Sequence, residues 1–445
     1  MNDNRHYLLA IILILFLSGC TLLGQSSKEP TEEEPAKPPE TSELSGKVKV
    51  AYLLNADQFM RDYGKLLQTK YPQVTFEVIP LPSLGQADYE STLKKLIEDN
   101  EVDLIYTPRS LQYLAANNEL YELNPLIKRD NFDLSHLYPP VIEKLQQWGD
   151  GIKLYGLAPT FLMKGLYYNK DLFNKYAIPY PKDNMTWMDV LALSKTINAK
   201  AAAEHIVGLS IGDPSLYQLV RNIANSEGLS EFDASGRFAI STKEWMSLWD
   251  FVVEQIRSRN IVMEGEKQIG ATLEQTVNAF RQGSSAMTIS NNVMVRELFQ
   301  AGASFDWAVV TEPVNKNFPS ESDSFVLTDV FSIYAKSKQV DLAWELLKFL
   351  HSDDGTALLQ QQNNYVLTSH TPYVKEVRGR DVNAFYKLQL KKTIPDRVPP
   401  SFYAQLDAPS TAEIADMVKG NKSTADAIQA LEKKGNEILQ AYAVK

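Results

Sequence analysis

The sequence predicts an α/β protein built as two lobes, each a mostly parallel sheet flanked by helices, and three observations carry that expectation. At 445 residues the chain is too long for one hydrophobic core. Between Val48 and Tyr106 short apolar runs alternate with helical patterns, the spacing that produces right-handed βαβ crossovers. From Tyr155 to Ile178 (YGLAPTFLMKGLYYNKDLFNKYAI) two extended segments lie close together with helical patterns on both sides. A chain crossing from one α/β unit into another produces that arrangement.

The first twenty residues read as an export signal. Arg5 and His6 give a weakly positive start, and Leu8 to Leu17 is an apolar stretch too short to span a membrane as a helix. It ends in Leu17–Ser18–Gly19–Cys20, which resembles the bacterial lipobox and implies cleavage before Cys20 and lipid attached to it. Residues 25–46 read as a tether, with four prolines and six glutamates against two lysines and almost nothing apolar to bury.

The folded part is expected from Val48. Val48–Leu54 reads as a buried strand, and Asp57–Tyr71 as a helix with Phe59, Tyr63, Leu66 and Leu67 inward, stopped by Pro72. Val74–Ile79 is a second strand, Tyr89–Asp99 a helix and Val102–Tyr106 a third strand. Ligands on such sheets bind at the carboxyl ends of strands, which singles out Asn55 after the first and Thr107 and Arg109 after the third. Leu154–Pro159 reads as a strand that a proline stops. Thr160–Tyr168 is a second apolar run, and Asn169 opens a helix carrying Leu172, Phe173 and Tyr176 on one face.

Farther on, Thr186–Trp187–Met188–Asp189 is a capping box for a helix through Ile197, and Ile206–Ile211 a strand. Ser241 with Glu244 is expected to cap a helix whose Trp245, Trp249, Val252 and Ile256 form a core stripe. A helix over Thr272–Gln282 closed by Gly283 leads to the strand Ala286–Ile289, the turn Ser290–Asn291–Asn292 and a helix through Phe299. Asp306–Val310 is the next strand, and residues 314–326 a polar loop that recrosses between lobes. Val330–Tyr334 and the helices Asp341–Leu350 and Thr356–Gln362 rejoin the first lobe, and Ser423–Asp426 caps an amphipathic C-terminal helix.

Composition excludes several classes. The formal net charge of −10 and the lack of a basic patch argue against nucleic acid. Cys20 is the only cysteine, so no disulfide framework or thiolate metal site is expected. The five histidines (His6, His136, His205, His351 and His370) have no helical pair spacing, so no metal site and no cofactor is expected.

In order, Tyr167–Phe173 (YYNKDLF), Ile178–Asp183, Met185–Trp187, Phe280–Ile289 (FRQGSSAMTI), Asp306–Val310, Phe331–Ala335 and Ser423–Lys434 span nearly all of residues 48–445. This pattern resembles family 1 extracellular solute-binding proteins, the lipid-anchored receptors of ABC importers, many of which take up oligosaccharides. The resemblance implies the two-lobed periplasmic-binding-protein-like fold, closing on a ligand like jaws and presenting it to membrane permease subunits, with no chemistry on the ligand. It implies a monomer on the outer face of a bacterial cell membrane. The lobes it suggests are 48–160 with 318–362, and 161–317 with 363–445, behind a signal peptide (1–19) and a lipidated tether (20–46). The chain departs from many sugar receptors in having Ser290, Asn291, Asn292 and Val293, and not a tryptophan, just after the AMTI-like strand.

For a carbohydrate the expected chemistry is aromatic faces stacking on sugar rings, with amides, carboxylates and arginine bonding hydroxyls. On that basis the ligand-binding candidates are Asn55, Thr107, Arg109, Phe161, Tyr217, Asn291, Asn292, Asp329 and Tyr403. Each has a bland alternative: a surface cation for Arg109, caps or turns for the Asn residues and Asp329, packing for the aromatics. Two other classes stay open: a receptor fold used for a non-sugar solute or for signalling, and a surface glycosidase. The last needs two carboxylates across a cleft, and no short motif places such a pair.

Overall fold

A computed structural model describes residues 44–445 of the chain except 83–88, 213–214, 264–278, 323, 363–365, 372–373, 392–400 and 444–445. The export signal, Cys20 and all but the last three residues of the tether lie outside the described residues, as does most of the helix expected over Thr272–Gln282.

Two sheets organise the fold. The first contains β1 (Gly46–Tyr52), β2 (Val74–Pro80), β3 (Leu104–Tyr106) and β4 (Leu157–Leu162). The second takes β5 (Lys164–Asn169), β6 (Val207–Ile211), β7 (Val262–Met263), β8 (Ser285–Asn291) and β9 (Trp307–Thr311). After the short β10 (Glu321–Ser322), β11 (Val326–Ile333) and β12 (Leu367–Thr368) return to the first, giving orders β12-β4-β11-β3-β1-β2 and β7-β6-β8-β5-β9. Parallel pairing occurs where helical crossovers join strands, as in β1 with β2 and β3 and in β6 with β7 and β8. The strands that carry the chain between lobes pair antiparallel: β4 with β11, and β5 with β8 and β9. Such strands enter beside a neighbour without a crossover helix to reverse their direction.

One core packs on the first sheet and includes Val48, Val50, Phe59, Leu104, Leu157, Phe331, Trp344 and Leu347. The other packs on the second sheet and includes Leu166, Leu209, Val220, Trp245, Trp249, Met287, Phe402 and Ile428. Trp245 and Trp249 are both buried, as their helical spacing suggested.

Only Met163 separates β4 from β5, so the chain passes between sheets in a single residue. Three elements depart from the reading of the sequence here. Pro159 does not end a strand; β4 runs through it. The β4–β11 register shifts between Asp329↔Thr160 and Phe331↔Leu157, so the residue without an N–H sits at an irregularity where no ladder bond is required of it. Leu367–Thr368, expected in the second lobe, pairs with Phe161 and Thr160 of the first sheet. The helix Lys243–Arg257 is capped by Thr242, whose side chain accepts from Trp245 N, while Ser241 N donates to Glu432.

The expected polar loop holds β10, which pairs with Gln389–Leu390. The helix Ser401–Lys419 was not anticipated, because Pro409 lies inside it and argues locally against a helix. Phe402, Leu406 and Ile414 bury it in the second core.

Asp130 ties two helices of the first lobe together. Its carboxylate accepts from Arg129 Nε at 2.7 Å, Trp344 Nε1 at 2.8 Å and Lys348 Nζ at 2.7 Å. The Arg129 hydrogen bond leads in holding its pKa well below the usual carboxylate range, and Lys348 and Trp344 add to it against the cost of burial. A depressed folded pKa contributes stability present above the unfolded value near 4 and lost as pH falls. Urea melts should therefore show about 2 kcal/mol of wild-type stability that Asp130→Asn lacks at pH 7, with the gap narrowing as pH drops below about 4.

Candidate functional site

The carboxyl ends of β1, β2 and β3 open into a cavity of about 380 Å³. Leu53 follows β1, Leu81 follows β2, and Tyr106 closes β3, so three neighbouring strand ends supply the floor. Tyr89, opening the helix Tyr89–Asn100, and Trp148, near the end of the helix Pro139–Gly149, form aromatic walls. Phe325, Val326, Leu327 and Thr328 close the side made by β11, and Arg109 supplies the cavity's charge. Burial pushes the Tyr89 phenol up, with a hydrogen bond from Ser110 and the Arg109 charge pulling the other way. Tyr106 hydrogen-bonds to the Thr328 carbonyl, which fixes its ring against the floor.

Beside this cavity a narrower crevice of about 60 Å³ runs between the lobes. Thr160, Phe161, Leu162, Thr328 and Asp329 line it from β4 and β11, and Asn292, Val293 and Arg296 line it from the end of β8 and the following helix. Thr328 lines both spaces and so lies between them.

Asp329 accepts from Thr160 Oγ1 at 2.5 Å and from Thr328 Oγ1 at 3.2 Å. Burial raises its pKa, and the hydrogen bonds from Thr160, Thr328, Tyr63 and Tyr106 only partly offset that. A carboxyl whose folded pKa lies above its unfolded value costs nothing below the unfolded value near 4 and costs stability as pH rises past it. Asp329→Asn, which keeps an acceptor for Thr160, should stabilise the ligand-free protein by ~1 kcal/mol at pH 7.5. Thermal melts should show the gain vanish near pH 4.

The sequence candidates separate into groups. Arg109 lines the cavity, and Phe161, Asn292 and Asp329 line the crevice. Phe161 is 1% exposed and stacks on Tyr138 at 5.1 Å, so it acts mainly as core beneath the crevice. Asn292 clamps Met163, the residue between the two sheets: its N–H donates to Met163 O at 3.1 Å, and its Oδ1 accepts from Met163 N at 3.3 Å. Asn291 Oδ1 accepts from Val293 N at 2.9 Å and starts the next helix. Asn55 likewise caps Ala56–Phe59, accepting from Gln58 N at 3.0 Å. Thr107 is fully buried, with its hydroxyl 2.8 Å from Ser332 Oγ, and lines neither of the two spaces.

Tyr217 and Tyr403 lie apart from both spaces, in a knot within the second lobe. Both hydroxyls donate to Glu231, at 2.5 and 3.0 Å, and Arg221 Nε donates to it at 2.7 Å. The Arg221 guanidinium also stacks 3.6 Å from the Tyr403 ring centroid. Burial opposes the Arg221 charge, and Glu231 together with Tyr403 and Tyr217 outweighs it, leaving the arginine pKa raised.

Reading of the sequence missed Trp148 and Tyr89. Tyr89 was recoverable, since it opens a helix expected directly after β2 and so sits at a strand's carboxyl end. Trp148 carried one signal, an aromatic just before the turn Gly149–Asp150–Gly151.

Compared with known proteins, the chain matches the family profile of bacterial extracellular solute-binding protein over residues 52–357. It is 24% identical over 220 residues to a putative binding protein of Brucella abortus, an alignment covering 48% of this chain and 50% of that one. The chain thus spans about half the length of the curated relatives it matches. Among solved structures it resembles an ABC substrate-binding protein of Listeria monocytogenes in complex with cycloalternan, with TM-score 0.63, 19% identity and coverage of 89% and 99% of the two chains. It also resembles a receptor of Streptomyces glaucescens studied unliganded and with acarbose, with TM-score 0.59, 18% identity and coverage of 90% and 98%. At these identities the likeness establishes a shared two-lobed α/β fold.

Proposed function

We propose that this chain, which belongs to the bacterial extracellular solute-binding proteins, is the lipid-anchored receptor of an ABC importer and captures an oligosaccharide between its two lobes. The observation that carries the reading is the cavity at the ends of β1, β2 and β3, where the Tyr89, Tyr106 and Trp148 rings surround about 380 Å³ next to an interlobe crevice. Aromatic walls offer apolar faces to sugar rings, and the crevice offers a path for closure. The cycloalternan and acarbose named with similar structures support a carbohydrate over other solutes.

In this reading the lobes divide near Met163, and a bound sugar shifts the open–closed equilibrium by binding the closed form more tightly. Cys20 carries the lipid, and residues 20–46 let the monomeric receptor reach the permease subunits from the outer face of the cell membrane. The ligand is delivered unchanged, without cofactor or metal.

Native mass spectrometry of freshly purified protein should show retained mass matching an oligosaccharide, recovered intact after incubation. A thermal-shift screen of oligosaccharides should raise the melting temperature for a subset, since ligand at a hundred times Kd adds about 2.7 kcal/mol. A broad screen without any shift overturns the sugar assignment, and recovered hydrolysis products would point to a glycosidase.

A further inference from the structure

Among the described residues, two arginines line these spaces without an ion pair or a hydrogen bond. Arg109 lines the cavity and Arg296 the crevice, and Thr328 lines both. Several other arginines have a carboxylate partner, as in Arg129 with Asp130, Arg221 with Glu231, and Arg281 with Glu297, while Arg257 donates to the Met417 and Val418 carbonyls. Neither Arg109 nor Arg296 has an ion pair or hydrogen bond among the described residues. No aspartate or glutamate is among the described residues lining the cavity. The crevice has one, Asp329, and hydroxyls of Thr160 and Thr328 already occupy it.

An unpaired guanidinium is tolerable while water fills the space. When lobes close and expel that water, an unpaired buried cation becomes costly unless the ligand supplies an anion. Neutral sugar hydroxyls accept single weak hydrogen bonds, whereas an oxyanion takes the planar guanidinium fork through two parallel N–H bonds. The chain's formal net charge of −10 sharpens the point. A generally acidic receptor repels an anionic ligand at long range, so it needs local cations to hold one.

Resting on the oligosaccharide reading above, we propose that the ligand is an anionic oligosaccharide, whose uronate carboxylate or sulfate ester is held by Arg109 at the cavity and Arg296 at the crevice while a neighbouring ring lies against Tyr89 and Trp148. The aromatic walls select for a sugar and the guanidinium groups for its charge.

Isothermal titration of the full-length protein in detergent tests this with three sets of tri- and tetrasaccharides: uronate-containing chains, the same chains with every carboxyl reduced to an alcohol, and sulfated neutral chains. The expected result is binding of a uronate or sulfated chain about ten- to hundredfold tighter than its neutral counterpart. The set that shows the preference identifies the anion. Arg109→Gln should remove most of the preference, the charged chain losing about tenfold more affinity than its neutral counterpart, and raised salt should weaken the charged ligands more than the neutral ones. Arg296→Gln should reduce the preference independently. Equal affinity for charged and neutral chains overturns the anionic assignment and leaves the oligosaccharide receptor standing. An equal loss for both in Arg109→Gln overturns the role given to its charge. Absence of binding to all three sets overturns this inference, while the broad thermal-shift screen decides the oligosaccharide reading.

Discussion

Glu231→Ala is expected to destabilise the protein by about 3–5 kcal/mol, because it removes one buried acceptor shared by three donors. Glu231 is 6% exposed and receives the Tyr217 hydroxyl at 2.5 Å, Arg221 Nε at 2.7 Å and the Tyr403 hydroxyl at 3.0 Å. Alanine leaves a desolvated guanidinium with only Gln218 Oε1, at 3.2 Å from Nη1, and the Tyr403 ring as partners, and it takes the acceptor from the buried Tyr217 hydroxyl. The penalty comes mostly from the orphaned charge. Replacing both charges, as Glu231→Leu with Arg221→Met, should therefore recover much of the loss. Urea unfolding of the two variants makes the comparison. A loss below about 1 kcal/mol in Glu231→Ala, or a double variant no better than the single one, contradicts this view of the knot.

Trp148→Ala is expected to weaken oligosaccharide binding by about thirtyfold, on the order of 2 kcal/mol. Trp148 is half-buried on the cavity wall at the end of its helix, with Lys144 Nζ 5.8 Å from the ring centroid on its helical side. Its truncation removes stacking area for a sugar while leaving the buried residues of that helix, Val141 and Leu145, in place. Trp148→Phe keeps an aromatic face and should retain most of the affinity. Calorimetry on the oligosaccharide found in the screen gives the numbers. Equal affinity in wild type and Trp148→Ala would move the ligand away from this wall.

Local signals in the sequence carried much of the fold. Asp189 N donates to Thr186 Oγ1, and Thr186 N to Asp189 Oδ2, as a capping box read from four adjacent residues requires. The first three strands and the crossing at Tyr155–Ile178 were legible because apolar runs and breakers lie next to one another. Pro159 was not, since its tolerance depends on a register set by β11, far later in the chain. The helix around Pro409 is likewise a tertiary result, held by burial in the second core.

The site was legible as a neighbourhood and not as a set of side chains. Placing candidates after β3 found the right strand end, yet Thr107 turns inward to Ser332 while Arg109, two residues on, reaches the cavity. Asn292 was chosen for its amide, and that amide faces Met163, the residue between the two sheets. Tyr217 and Tyr403 were chosen as aromatics near expected strand ends and linkers, but Arg221 on the Tyr217 helix and Glu231 just after it draw the distant Tyr403 into one knot. No local pattern encodes such a partnership.

The central claim is closure of two lobes about the Met163 hinge on a bound oligosaccharide. Small-angle scattering on the protein with and without the sugar identified by native mass spectrometry tests it most directly. A smaller radius of gyration in the saturated sample, with a matching loss of long interatomic distances, is the predicted result. Saturating binding, proved by calorimetry on the same sample, with an unchanged scattering curve would contradict it.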